Sequence, residues 1–364
     1  MNAPMTPAAL AEARRLSEIC NACRYCEGYC PVFPAMFARR VFDDGDLSYL
    51  ANLCHGCKGC WHACQYAPPH EFGVNLPATL SDVRAGTWAE HAWPAGAGQL
   101  FRRNGTMVSL VTGTVLALTI LATMLFVNGT VLTGAHTGPG AFYAVIPHGV
   151  MVTLGGLTFG WAALAMALGV RSYWRSLGGG PVPRKALIAA LGDAATTRHL
   201  GSNGGGCNDT GEGFSQGRRH MHMAVMWGFL LCFAATSAGT LMHYLLGWDA
   251  PYPWYSLPVL LGSVGGIGII VGCAGLFAVK LGTDPGPEAA RLKGMETGFL
   301  ALLFLVSLTG MALLFWRPTS AMGGLLAIHL GFVFAFFMTM PYSKFVHGLY
   351  RLAALVKFHA ERGD

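Results

Sequence analysis

An all-α fold in two unequal parts is what the sequence predicts, and three observations predict it. The 364 residues are 53% hydrophobic but only 12% charged, against about 25% charged in an ordinary soluble domain. Eight of the 11 cysteines fall between positions 20 and 64. Beyond position 104 the chain alternates long apolar runs with short polar breaks, the pattern of helices built to cross lipid. The reading is therefore a helical head over 1–104 and a membrane domain over 105–364, with a long polar loop at 171–221.

The head comes first. Residues 7–19 are good helix formers at helical spacing, and Asp44 or Asp46 is placed to cap a second helix through LSYLANL. Between and after these lie two copies of one cysteine pattern: Cys20, Cys23, Cys26 and Cys30, followed by Pro31, then Cys54, Cys57, Cys60 and Cys64. Three closely spaced thiolates reach three irons of one cubane, and the fourth ligates the other cluster of the pair. The spacing thus predicts two [4Fe–4S] clusters, one held by Cys20, Cys23, Cys26 and Cys64, the other by Cys54, Cys57, Cys60 and Cys30. Structural zinc favours two separated cysteine pairs, which is a poorer match. Gln65, not proline, follows Cys64, the one departure in the second copy. The first 80 or so residues resemble the helical ferredoxins of fumarate and heterodisulfide reductases.

Six apolar runs follow, near 106–127, 145–170, 222–246, 257–279, 296–316 and 324–346, each about the 20 residues that a span requires. The loops at 171–221 and 280–295 carry ten Lys and Arg residues, from Arg171 to Lys293, whereas 128–144 and 247–256 carry none. Arg102, Arg103, Arg351 and Lys357 add positive charge near the termini. Cytoplasmic loops hold the excess of Lys and Arg, so both termini and the cluster head are expected in the cytoplasm of a bacterial-type inner membrane. No signal-peptide core precedes Cys20, which agrees. The net charge of +6 orients spans, and no nucleic-acid partner is expected.

Charged residues are scarce deep in the spans, which argues against ion transport. Histidines are present instead: His148, His222, His243, His329 and His347. Imidazole is a standard axial ligand of haem iron. His222 and His243 are separated by about 31 Å of helix, and His329 and His347, five full turns apart on one face of the sixth span, by about 27 Å. His222 and His347 then share the cytoplasmic depth, and His329 matches His243 or His148 at the other. One or two b haems are expected on these pairs. Cys232 and Cys273 read as small core residues. The loop at 201–217, GSNGGGCNDTGEGFSQG, reads as a flexible linker or as a docking loop beside the first haem. It is no dinucleotide fingerprint, because no buried strand precedes it.

The cysteine octet, the stretch Arg218-Arg219 … His222 … Gly228-Phe-Leu-Leu-Cys232-Phe, the His243-Tyr244 end, and Met340-Pro341-Tyr342 … Lys344-Phe345-Val346-His347 together resemble the tricarballylate (citrate) utilisation protein B family over nearly the whole chain. That resemblance implies two [4Fe–4S] clusters and b haem, with a soluble FAD-containing dehydrogenase as electron donor and membrane quinone as diffusible acceptor. The chain would be the electron-transfer component of a flavoprotein:quinone oxidoreductase, with no bond-making residues of its own. The alternatives are a quinol-oxidising subunit running in reverse and, from another class, an iron–sulfur sensor or transporter.

Overall fold

A computed structural model describes residues 6–101 and 103–363, and of Asn203 the backbone alone; Arg102 and Asp364 lie outside the described residues. Among the described residues there are fifteen α-helices and no strand. The head contains α1 (Pro7–Cys23), α2 (Val32–Phe37), α3 (Asp44–Leu53), α4 (Gly59–His62) and α5 (Leu76–Glu90). Thr6 caps α1 by accepting the Ala9 amide, and Pro7 sits in the first turn, where its missing N–H would have had no partner. The cap of α3 is Asp43, which accepts the Asp46 amide at 2.7 Å. This corrects the expectation of Asp44 or Asp46. The helix starts one residue sooner, and those two carboxylates instead face the positive end of the helix dipole from its first turn.

The remainder comprises α6 (Asn104–Phe126), α7 (Gly129–Leu132), α8 (Ala141–Val145), α9 (His148–Ser176), α10 (Arg184–Ala195), α11 (Gly217–Leu246), α12 (Leu257–Leu281), α13 (Lys293–Trp316), α14 (Met322–Thr339) and α15 (His347–Arg362). Six of these helices, α6, α9 and α11–α14, are long and apolar enough to cross a membrane. Their outer faces are apolar yet exposed, as at Leu118, Leu121, Leu125 and Phe126 on α6, which is how a helix looks when lipid is its solvent. Small residues let the helices approach closely. A Cβ added to Gly228 of α11 would lie 2.7 Å from the Gly265 carbonyl of α12. Cys273 is buried in the core that joins α6, α9, α12, α13 and α14, with Cys232 packed against it, as small core residues should be.

The sixth span departs from its expected limits. It does not continue to 346, because Pro341 supplies no N–H and Ser343 is fully extended. The chain turns there and restarts as α15, so His329 and His347 do not share one helix. That break has a structural use. α15 is amphipathic and leaves the bundle to pack against α3 and α10. Its Ala354, Leu355 and Phe358 join Leu16, Leu50 and Leu80 of the head in one hydrophobic core, together with Tyr173 from the end of α9.

The head therefore sits on one end of the bundle. Arg291 Nε lies 2.6 Å from Asp82 Oδ1, Lys58 Nζ lies 3.1 Å from Glu288 Oε1, and Asn75 donates to the Gly286 carbonyl. Lys357 donates to the Leu177 carbonyl. Both Lys/Arg-rich loops meet the head on this side.

Candidate functional site

The eight patterned cysteines gather in the head as the spacing predicts. α1 ends at Cys23 with Arg24 in the left-handed conformation, which turns the chain back so that Cys20, Cys23 and Cys26 face one space. Cys64 joins them across a cavity of about 220 Å³, also bordered by Trp61 and the exposed Tyr25. Burial pushes the Cys20 thiol up to about 12, and Cys26, Cys64 and Cys23 push the same way. The Cys30 thiol is raised well above its ordinary value by burial, then by Cys57 and Cys54. Cys60 feels burial first, then Cys57, Cys54 and Cys30, and finally Cys26 of the other group. Cys20, Cys23, Cys26 and Cys64 thus lie together and Cys30 lies near Cys54 and Cys57, while Cys60 is near these and also borders the first group's cavity. Such crowding disfavours thiolates unless a cation shares their charge, and coordination by iron supplies that. The donor set fits iron–sulfur clusters, and a cavity opens where Cys20, Cys23, Cys26 and Cys64 would hold the first.

The two quartets have different surroundings. The peptide from Cys54 to Cys57 is held by three arginines from three regions. Arg84 of α5 donates to the Cys54 carbonyl at 2.7 Å, Arg351 of α15 donates to the same oxygen at 2.9 Å, and Arg218 of α11 donates to the Gly56 carbonyl at 2.6 Å. The glycine-rich segment covers the same place. Asn208 donates its amide to the Cys57 carbonyl, and Cys207 packs on Cys57 beside Leu200. The segment is folded back on itself by a Cys207–Ser215 bridge. It lies against the second quartet, a placement that neither expectation for it, a flexible linker or a docking loop beside the first haem, included.

Those three arginines also border a second cavity, of about 450 Å³, that runs into the bundle. His222 and His347 face each other across it with ring centres 6.0 Å apart and planes at 82°. Two imidazoles on one metal, each at about 2 Å, hold their ring centres roughly 6 Å apart. His347 Nδ1 donates to the Lys344 carbonyl at 2.5 Å, leaving Nε2 with its lone pair. Burial, then Arg351, keeps His347 well below its ordinary pKa, hence neutral and able to ligate. The cavity is apolar along Phe229, Phe299 and Leu303, and basic where Arg84, Arg218 and Arg351 enter. Arg351 Nε is buried without a partner, and burial pushes Arg351 down to about 9. Asp209 and Glu296 also line the cavity, but neither hydrogen-bonds Arg351 Nε. If a haem binds here, His222 and His347 would hold its iron, and the apolar walls and Arg351 Nε would meet its macrocycle and carboxylates.

At the opposite end His148 opens α9 and His243 closes α11, and their rings stack at 4.0 Å and 33°. His243 Nδ1 is 3.0 Å from Asp249 Oδ1. His329 does not join them. It lies on α14 with Nδ1 3.2 Å from Thr309 Oγ1 of α13, and no ring contact links it to either histidine among the described residues. The residues that sequence reasoning missed are Arg84, Arg351 and Ser202. The two arginines carry a faint signal, since each is a lone cation on the apolar side of a helix.

A head of eight gathered thiols on six helices long and apolar enough to cross a membrane suggests an electron-transfer protein of iron–sulfur type. The chain belongs to the citrate utilization protein B family: the family model of that name matches residues 99–364, and the model of its Fer4-like domain matches residues 13–91. Citrate utilization protein B of Escherichia coli is 48% identical over 358 residues, 97% of this chain and 92% of that protein. No solved structure matches the chain.

Proposed function

We propose that this protein takes electrons from a reduced flavoprotein dehydrogenase of tricarballylate or citrate utilisation and delivers them to membrane quinone through two [4Fe–4S] clusters and b haem. One observation carries the reading. The thiols, the arginines and the facing histidines form a continuous series from the surface at Tyr25 to the interior of the bundle. Clusters and haem supply one-electron carriers when bound. The chain's own residues hold them, exclude water and place positive charge between them. Electrons enter at the quartet of Cys20, pass the quartet of Cys54, and leave by way of His222 and His347. The far pair, His148 and His243, is positioned for a second haem once the rings turn about their side-chain bonds.

The head faces the cytoplasm in this reading, which the Lys/Arg-rich loops beside it support. A reporter inserted near Gly138 should be active only outside, and one fused after the last helix only in the cytoplasm. The decisive test is one anaerobic preparation. It should contain about eight cluster irons, and its reduced-minus-oxidised spectrum should show b-type haem. Stoichiometric zinc with little acid-labile sulfide, or a spectrum without haem, would end the proposal.

A further inference from the structure

The segment 201–217 has more contact with one cysteine than a cover requires. Ser202 Oγ lies 3.0 Å from Cys57 Sγ, and both residues are buried. Either atom of a free pair could donate, but a thiolate bound to iron has no hydrogen. On the reading that Cys57 is a cluster ligand, the hydroxyl is the donor. Two further features keep it there. Ser202 has φ of 44°, a left-handed conformation that costs a non-glycine residue free energy and persists only where its surroundings impose it. Gly59 leaves the space, since a Cβ at that position would lie 2.5 Å from Ser202 Oγ. On the loop's other side, Gln216 donates to the Gly204 carbonyl and the Ser215 amide to the Cys207 carbonyl, which holds the turn shut. A strained serine and a glycine made to fit it, both aimed at one ligand sulfur, are more than packing demands.

We propose that Ser202 is a positioning residue that raises the reduction potential of the cluster held by Cys54, Cys57, Cys60 and Cys30 relative to the other. A hydrogen bond to a ligand sulfur favours the state with more negative charge, which is the reduced cluster. The first quartet faces its open cavity instead, so the bond acts on one cluster alone. The gradient it creates draws electrons from the quartet beside Tyr25 toward the quartet that contains the buried Cys57.

The test is a redox titration of the full-length protein followed by electron paramagnetic resonance, on Ser202→Ala and Ser202→Gly. The glycine variant loses the hydroxyl while relaxing the backbone at positive φ, so it guards against misfolding. In both variants one midpoint should move to lower potential and the other stay in place. The signal that moves should be the one that Cys57→Ser removes. Unmoved midpoints with eight cluster irons retained would overturn the role of Ser202 and leave the electron-transfer reading standing. So would equal shifts of both midpoints, or loss of four irons in both variants, since the loop would then be only a clamp. Wild-type protein without cluster iron would sink the underlying reading instead.

Discussion

The two cysteine quartets come from near-identical sequence motifs, yet the fold treats them differently. The quartet of Cys20 borders a cavity that reaches the surface beside Tyr25, which is 69% exposed. The quartet of Cys54 lies under an ordered loop and within a ring of three arginines that continues into the histidine cavity. Motif repetition gives two sets of four thiols, and the fold gives them different surroundings. On the proposed electron path the site beside Tyr25 would meet the soluble partner, and the site under the loop has the hydrogen bonds and charge that would set a potential.

The largest effect that separates the two should come from removing ligands. Cys57→Ser should leave the exposed cluster reducible by the flavoprotein while abolishing haem reduction from it. Cys26→Ser should also block the flavoprotein, but quinol reducing the haem should still reach the covered cluster. Each variant should lose about four of eight cluster irons. Identical behaviour from both sides would break the idea of a series.

Next comes the exit from the covered site. His222→Ala and His347→Ala should each lose the same haem component while both clusters remain reducible. His148→Ala and His243→Ala should share a second component, and His329→Ala should lose neither, because its ring meets Thr309. If His329→Ala removes the component that His148→Ala removes, the far-end assignment is wrong.

A smaller difference should appear on brief exposure to air. The shell around a metal site controls access to it, so the signal that Cys26→Ser lacks should decay first, and the covered one later. Simultaneous decay would mean that the loop gives no protection. Smallest of all, Asp43→Ala removes the cap of α3 and should destabilise the head by about 1 kcal/mol in thermal unfolding, with both cluster signals intact at 25 °C.

The parts of this architecture that depend on local pattern were legible. Cysteine spacing marked the thiols that the fold gathers in the head, and apolar run length located all six spans, with ends that differ by up to seven residues. Depth counting paired His222 with His347, though for a partly mistaken reason, since it assumed one unbroken helix. Pro341 inside an apolar run was the available sign of the break, but hydropathy outweighed it. Ser202, Arg84 and Arg351 act through neighbours 145, 30 and 297 positions away in the chain. Such contacts have no local periodicity, so neither the arginine ring nor the loop's bond to Cys57 is visible before the fold is.

The break after α14 also bears on how the protein is made. The head's motifs leave the ribosome first, but the head's core includes Ala354, Leu355 and Phe358 of α15, and Arg351 must reach back to Cys54. Domains generally fold in order of synthesis. Here the first-made part cannot finish until the sixth span has been inserted and the chain has turned at Pro341. The core of the head is complete only when α15 has joined it.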